Sequence, residues 1–298
     1  MAPDLLGTMI YHRPVLAQAA VEALITDPSG TYVDATFGGG GHSRLILERL
    51  STRGHLIGID QDPEAPLTAI SDARFAPVRA NFRHLKALLE NMGISTLNGL
   101  LADLGVSSHQ LDTPSRGFSY RAEAPLDLRM DPTTGLPAYQ WIPLQSEEYL
   151  ANLLRNYGDL PLAKRLAKAL LLGQPQTTTD LQTILRAVYG PKASKYLAQT
   201  FQALRIAIND ELNALQDLLE AATELIQPHG RLVILTYHSG EARPLKALYQ
   251  KPLREDPIYG HRKYTWKLIY KKRPSPEEIH ENPRSRSAIL WVLQKLSL

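Results

Sequence analysis

Asp34-Ala-Thr-Phe-Gly-Gly-Gly-Gly-His42 is the stretch that indicates the fold of this 298-residue chain most clearly. Its four consecutive glycines follow a short apolar segment, residues 31–35, and precede residues 43–50, whose apolar positions suit a helix packed on a sheet. A second apolar segment, residues 55–59, comes next. Strand, glycine-rich turn, helix and strand in this order are typical of a parallel α/β sheet, which we therefore predict.

Other short apolar segments predict the rest of the sheet. They comprise residues 75–78, 99–102, 231–237, 264–270 and 288–292. The interval between the strand that ends at Asp103 and the strand that starts at Arg231 is far longer than the roughly 10–12 residues that a crossover requires. We therefore expect this interval to contain a structural unit of its own.

The long interval has helical patterns. They comprise residues 147–155, 162–172 and 181–189. The third pattern follows Thr177-Thr-Thr-Asp180, which is a capping-box sequence. We predict an inserted helical domain over residues 106–205, with residues 1–105 and 206–298 forming one discontinuous sheet domain. The amphipathic segment 207–226 is then the helix that returns to the sheet.

The glycine-rich turn favours binding of a nucleotide-like ligand. Glycine permits a positive φ, and it lets a ligand approach the backbone with no Cβ in the way. A dinucleotide-binding dehydrogenase requires the spacing G-x-G-x-x-G, and this chain has Ser43 or Arg44 where the third glycine should stand. That departure disfavours a nicotinamide-dependent oxidoreductase, while a purely structural tight turn stays open as an alternative.

Asp60 and Asp34 end two neighbouring predicted strands and narrow the class of ligand. At the end of the second strand, the Asp60 carboxylate can accept hydrogen bonds from ribose hydroxyls. S-adenosyl-L-methionine presents both ribose hydroxyls and carries no phosphate, so it needs no pyrophosphate-binding motif. Asp34 is suitably placed for the ammonium or sulfonium side of that cofactor. We therefore predict S-adenosyl-L-methionine as the cofactor, although either aspartate alone is typical of a strand-end cap.

Asp103 ends the fourth predicted strand and opens the segment Asp103-Leu-Gly-Val-Ser-Ser-His-Gln110. The exocyclic amine of a base such as cytosine is a poor nucleophile, because its lone pair is delocalised into the ring. A carboxylate or hydroxyl that accepts its hydrogen bond lets the nitrogen pyramidalise and attack a methyl group in line, mainly through positioning. We predict catalytic roles for Asp103, for Ser107 and for His238 after the strand at 231–237. A structural role stays open for His238.

Further motifs are distributed over nearly the whole chain. They are Tyr11-His-Arg-Pro-Val-Leu16, Phe37-Gly-Gly-Gly-Gly-His-Ser43, Asp103-Leu-Gly-Val-Ser-Ser108, Arg116-Gly-Phe-Ser119, Pro125-Leu-Asp-Leu-Arg-Met-Asp131, Thr200-Phe-Gln-Ala-Leu-Arg205, Tyr237-His-Ser239 and Glu281-Asn-Pro-Arg-Ser-Arg286. Together they resemble the ribosomal RNA small subunit methyltransferase H family. The resemblance implies an α/β fold with the Rossmann-like sheet of class I S-adenosylmethionine-dependent methyltransferases and an inserted helical substrate-recognition domain. It also implies methylation of the N4 amine of a cytosine in the decoding region of 16S rRNA.

The resemblance implies individual site residues as well. The cofactor contacts that it implies are Gly40, Gly41, His42, Asp60, Phe82, Asp103 and Gln110. This chain departs from the family's usual pattern at Tyr237, where phenylalanine is common, and at His109, where proline is common.

Positive charge is concentrated toward the C-terminal end. Residues 231–298 have 14 Lys+Arg and 6 Asp+Glu, whereas the rest of the chain has 19 Lys+Arg and 24 Asp+Glu. Such asymmetry is typical of a polyanion-binding surface or of a solvated face. Because arginine presents forked donors to phosphate, we predict RNA contacts at Arg116, Arg121, Arg129, Arg284 and Arg286.

The partner that we expect is 16S rRNA within the small ribosomal subunit or a late assembly intermediate. The target cytosine must leave its stack to reach a buried methyl donor. A non-enzymatic RNA-binding or assembly factor stays open as an alternative.

Composition excludes several classes of site. The chain has no cysteine, which rules out disulfides and thiolate chemistry. Its His, Asp and Glu residues lack metal-ligand spacing, so we expect no catalytic metal. No apolar run approaches the roughly 18 residues that span a bilayer, and residues 1–10 lack the pattern of a secretory signal. We expect no membrane partner and a cytoplasmic location.

Overall fold

A computed structural model of the chain describes residues 14–252, 254–255, 262–263 and 265–297. Residues 11–13 of the first motif lie outside the described residues, as does Tyr264, the first residue of one predicted strand. The chain forms two compact units. Unit 1 contains the described residues up to Gly105 and those from Ala214 onward, and unit 2 spans Val106–Asn213. Unit 2 therefore ends at residue 213, whereas the predicted inserted domain ends at residue 205.

Unit 1 is built on a seven-stranded sheet of order β3-β2-β1-β4-β5-β9-β8. These strands are β1 (Thr31–Asp34), β2 (His55–Asp60), β3 (Phe75–Arg79), β4 (Leu97–Asp103), β5 (Ile226–Thr236), β8 (Trp266–Lys272) and β9 (Ile289–Lys295). A separate two-stranded ladder joins β6 (Arg254–Glu255) to β7 (Arg262–Lys263). In the large sheet β1 to β5 pair in parallel, whereas β9 pairs antiparallel with both β5 and β8. This open, mostly parallel sheet confirms the predicted Rossmann-like α/β fold.

Helices cover both faces of the sheet. In unit 1 they are α1 (Ala17–Leu24), α2 (Gly41–Arg49), α3 (Leu85–Asn91), α10 (Glu211–Leu225), α11 (Ser239–Gln250) and α12 (Pro276–Glu281), of which α10 begins in unit 2. Strand side chains alternate between two hydrophobic clusters, one packed with α1 and α2 and the other with α3, α10 and α11. Tyr32 and Leu101 belong to the α1 and α2 face. Asp34 and Asp103, each two residues further on, therefore lie on that same face at the carboxyl ends of their strands.

Unit 2 is helical and has its own hydrophobic core. Its helices are α4 (Ser108–Asp112), α5 (Ala138–Trp141), α6 (Glu147–Gly158), α7 (Ala163–Gly173), α8 (Thr178–Tyr189) and α9 (Ala193–Ile208). The predicted capping box is present, because Thr177 Oγ1 accepts from the Asp180 backbone N–H at 3.1 Å and Asp180 accepts from the Thr177 backbone N–H at 2.9 Å. Within the described ranges, none of the helices combines the length and the apolar character that crossing a membrane requires.

The returning helix and the fifth strand begin at other residues than predicted. The returning helix α10 begins at Glu211 rather than at residue 207, because α9 continues to Ile208 and Asp210 then adopts a left-handed φ of 50°. Arg205 and Glu211 form an ion pair across this break, at 2.7 Å. Strand β5 begins at Ile226 rather than at residue 231.

Candidate active site

The carboxyl ends of β1, β2 and β4 bring three aspartates to one edge of the sheet. Ligands of open parallel sheets bind at this edge. Asp34, Asp60 and Asp103 are the last residues of their strands. Burial raises the pKa of all three carboxyls, to about 6 for Asp60. An edge with this much poorly solvated negative charge is complementary to a cationic ligand.

The glycine-rich turn is hydrogen-bonded to this edge of the sheet. The Gly38 backbone N–H donates to Asp60 Oδ2 at 2.7 Å, and Gly38 has a φ of 53°. Gly40 has a φ of 77°, and a Cβ there would lie 2.7 Å from the Phe37 ring. A Cβ on Gly41 would lie 2.8 Å from the Pro14 side chain. Backbone conformation and close packing thus explain why these positions hold glycine. Their predicted cofactor contacts stay predictions.

Asp60 keeps acceptor capacity for a ligand. Its two oxygens accept from the backbone N–H groups of Gly38, at 2.7 Å, and of Asp62, at 2.9 Å. A carboxylate has about four lone-pair sites, so further hydrogen bonds remain available. Asp60 therefore fits the ribose-binding role that we predict for it.

Asp34 holds the start of α2 in place. The Ser43 hydroxyl donates to Asp34 Oδ2 at 2.6 Å, and the Thr36 backbone N–H donates to Oδ1 at 3.2 Å. Asp34 has no exposed surface. His42 is also buried, and its Nε2 lies 3.2 Å from the Val15 carbonyl oxygen. These contacts explain Asp34 and His42 as supports of the loop, and their burial disfavours a direct cofactor contact.

Asp103 is held at two points. Its backbone N–H donates to Thr36 Oγ1 at 2.6 Å, and its Oδ1 accepts from the Tyr237 hydroxyl at 2.7 Å. Burial and the neighbouring Asp103 charge raise the pKa of Tyr237 well above its usual value. The phenol therefore stays protonated and acts as a donor. The sequence alone does not predict that Tyr237 and Thr36 belong to the site.

His238 follows Tyr237 and precedes α11. The Glu241 carboxylate accepts from the Tyr237 backbone N–H at 2.7 Å and from that of His238 at 3.3 Å. His238 Nε2 lies 3.1 Å from Glu241 Oε1, and within the described chain neither atom has a hydrogen-bond partner. The catalytic role of His238 stays a prediction.

Phe82 follows β3, the strand next to β2. It opens a short 3₁₀ turn after β3, and it is half-buried against the cluster on the α3 face. The preceding turn is tied to β2, since the Ala80 backbone N–H donates to the Asp60 carbonyl at 3.0 Å and the Asn81 amide donates to Gln61 Oε1 at 2.7 Å. The partly exposed ring is compatible with the predicted contact to the adenine.

Ser107 and Gln110 belong to unit 2 and contact each other. Ser107 Oγ accepts from the Gln110 backbone N–H at 3.1 Å, and Gln110 Oε1 accepts from the Ser107 backbone N–H at 3.0 Å. This reciprocal capping box starts α4 and explains both residue types without a ligand. The predicted catalytic role of Ser107 and cofactor contact of Gln110 stay predictions.

The five predicted RNA-binding arginines differ in exposure. In unit 2, the buried Arg116 donates to the carbonyl oxygen of Met130 at 2.8 Å, and Arg129 pairs with Asp127 at 2.7 Å, whereas Arg121 is exposed. These contacts tie Arg116 and Arg129 into their own loop and disfavour a phosphate contact. In unit 1, Arg284 is half-buried and Arg286 is exposed. Arg121 and Arg286 are thus the best-exposed candidates.

The residues of unit 1 fit S-adenosyl-L-methionine. The donor set offers a carboxylate for ribose hydroxyls, a glycine-rich turn and an acidic strand edge that complements the positive sulfonium and ammonium groups. Among the described residues, no group of three or more His, Asp or Glu side chains could hold a metal ion.

The chain is similar to known methylases over nearly its whole length. The model of the MraW methylase family matches residues 9–296. The chain is 42% identical to the ribosomal RNA small subunit methyltransferase H of Phocaeicola vulgatus, over 96% of this chain and 98% of that protein. It is 44% identical to the protein of the same name from Amoebophilus asiaticus, over 97% of each. The solved structure of an rRNA methylase from Streptococcus thermophilus has a TM-score of 0.42 and 12% identity, covering 97% of this chain and all of that one.

Proposed function

The chain belongs to the MraW methylase family, and on this premise we propose that it methylates the N4 amine of a cytosine in the decoding region of 16S rRNA. Relatives about 42% identical over nearly the full length have names that specify small-subunit ribosomal RNA. The structural observation that carries the proposal is Asp103, a partly buried carboxylate at the carboxyl end of β4 with one oxygen held by Tyr237.

S-adenosyl-L-methionine is the methyl donor of this enzyme, and when bound it supplies an electrophilic methyl group on a positively charged sulfur. Asp60 would hold the ribose hydroxyls, and the turn at Gly38 would flank the cofactor. Asp34 and Ser43 keep that turn in place. Phe82 would cover the adenine, as the resemblance implies.

Asp103 would act on the acceptor amine. A hydrogen bond from the amine to its carboxylate orients the nitrogen and keeps the lone pair available for in-line attack. The methylated nitrogen must then lose a proton. Because burial raises the pKa of Asp103, this carboxylate is a better proton acceptor than an ordinary surface aspartate. Ser107 and His238 would be secondary polar contacts of the acceptor base.

The substrate would be 16S rRNA in the small subunit or in a late assembly intermediate, with the target cytosine flipped out of its stack. The exposed Arg121 and Arg286 would contact phosphates and so set orientation rather than sequence preference. The helical unit Val106–Asn213 would contribute substrate recognition, and the location that follows from this substrate is the cytoplasm.

Methyl transfer to purified small-subunit particles from cells that lack this protein tests the proposal. We expect transfer by the wild-type enzyme and a fall of roughly a hundredfold or more in Asp103→Ala. Glu22→Gln is the control, because Glu22 forms an exposed ion pair with Arg49 and should leave the rate unchanged. A wild-type rate in Asp103→Ala would refute the catalytic role, and no transfer by the wild type to any particle would refute the substrate.

The methylase family assignment argues against the two alternative functions, an oxidoreductase and a non-enzymatic assembly factor. A nicotinamide-dependent oxidoreductase already lacked the required third glycine. A non-enzymatic assembly factor would bind particles without transferring methyl groups, so the same assay distinguishes it.

A further inference from the structure

Tyr237 and Asp103 meet across the β4 and β5 pair. The two strands are parallel, and Asp103 is in register with Leu235. Tyr237, two residues beyond Leu235, lies on the same face and packs against the cluster next to α1 and α2. Its hydroxyl donates to Asp103 Oδ1 at 2.7 Å. Strand register thus dictates the contact, although 134 residues of sequence separate the two.

The backbone on both sides of the contact is fixed. On the β4 side, the Asp103 N–H donates to Thr36 Oγ1 at 2.6 Å. On the β5 side, the Tyr237 N–H donates to Glu241 Oε2 at 2.7 Å, and Glu241 is buried at the start of α11. Little rotation about the Asp103 side chain is possible while these bonds and the phenol contact persist.

The two oxygens of Asp103 therefore have different surroundings. Oδ1 accepts from the Tyr237 hydroxyl, and no hydrogen bond from the described part of the chain reaches Oδ2. We propose that Tyr237 is a positioning residue, which holds Oδ1 so that Oδ2 is the oxygen presented to the acceptor amine. This inference rests on the proposed function, since it assigns an orientation to the carboxylate that acts on the amine.

The hydrogen bond also stabilises the ionised carboxylate. Burial raises the pKa of Asp103, and the Tyr237 hydroxyl acts in the opposite direction. Loss of the hydroxyl should therefore raise the pKa of Asp103 further and move the acidic limb of the rate profile to higher pH. Other charged groups act on this pair and remain in the variant: Asp34, His42 and Glu241 act on Asp103, and Glu241 and Glu278 act on Tyr237.

Tyr237→Phe tests the proposal with little risk to folding, because the ring keeps its packing against the cluster next to α1 and α2. We expect kcat on small-subunit particles to fall about tenfold, as for loss of one charge-assisted hydrogen bond. We expect the acidic limb to shift to higher pH, and the Kd of S-adenosyl-L-methionine to stay within about threefold of the wild-type value. Tyr270→Phe, which removes an exposed hydroxyl from β8, is the matched control and should change none of these.

A double variant distinguishes positioning through Asp103 from a general structural defect. If Tyr237 acts through Asp103, then Tyr237→Phe in an Asp103→Asn background should slow the residual reaction by less than twofold. An unchanged rate and pH profile in Tyr237→Phe would overturn the inference, as would a full tenfold loss in the Asp103→Asn background. These outcomes require an active wild-type enzyme, so they are distinct from a failure of the proposed function, in which the wild type itself transfers nothing.

Discussion

The backbone N–H of Gly38 donates a 2.7 Å hydrogen bond to Asp60 Oδ2, which fastens the turn after β1 to the end of β2. One side chain thus orders the loop and still has lone pairs for a ligand. The loop, in turn, keeps Asp60 where parallel strands bind their ligands.

Asp60→Asn should weaken binding of S-adenosyl-L-methionine by roughly 10- to 100-fold, since the ribose hydroxyls lose a charged acceptor. Isothermal titration at pH 7.5 measures the change in Kd. Asp72→Asn is the control, because Asp72 pairs with Arg74 at 2.6 Å and does not contact the loop. Unchanged affinity in Asp60→Asn would remove Asp60 from the cofactor site.

Asp60 should also make the stability of unit 1 depend on pH. Burial raises its pKa from 3.8 to about 6 in the folded protein, so the folded state binds the proton more tightly than the unfolded state does. Ionisation of Asp60 therefore destabilises the wild type as the pH rises from about 4 to above 6. Relative to the wild type, Asp60→Asn should gain about 1–3 kcal/mol of unfolding free energy over that range. Urea denaturation at pH 4.5 and pH 7.5 measures this, and a difference independent of pH would contradict it.

Ser43→Ala should destabilise the protein by about 1–3 kcal/mol, because it removes a 2.6 Å hydrogen bond from the fully buried Asp34 carboxyl. Calorimetry should show a lower Tm. Ser29→Ala is a matched control, since Ser29 donates to Asp27 at 2.8 Å in an exposed pair. Equal changes in Tm for the two variants would show that the buried hydrogen bond contributes no more to stability than the exposed one.

Arg116 and Arg121 should have opposite phenotypes. Arg116→Ala removes donors to buried loop carbonyls and should lower the Tm, because those carbonyls lose their partners. Arg121→Ala removes an exposed cation, so it should leave the Tm unchanged and reduce the salt dependence of rRNA binding by about one unit of slope. Filter binding at several salt concentrations measures the slope. Identical slopes for Arg121→Ala and the wild type would exclude a phosphate contact.

Much of the sheet was predictable because strand residues follow a local apolar pattern. The glycine-rich turn, Asp60 and Asp103 were found because each stands at the end of such a segment. Helix α9 was not predicted, since its start at Ala193 follows directly on the turn Gly190–Lys192 and has no strong cap of its own.

Contacts between segments that are distant in the sequence could not be predicted from local sequence patterns. The Tyr237 contact with Asp103 depends on the register of β4 with β5, and the Thr36 contact with Asp103 depends on that of β1 with β4. Arg116 is predicted to bind phosphate because arginine presents forked donors, and its burial follows from the loop carbonyl groups to which it donates in the folded chain.

Mass mapping of methylated nucleotides in 16S rRNA tests the central claim most directly. It compares cells that have the wild-type protein, cells that lack it and cells that have Asp103→Ala. The account predicts one N4-methylated cytosine in the decoding region with the wild type, and its absence from the other two. The same methylation pattern in all three, or a protein-dependent methyl group on another atom or another RNA, would contradict it.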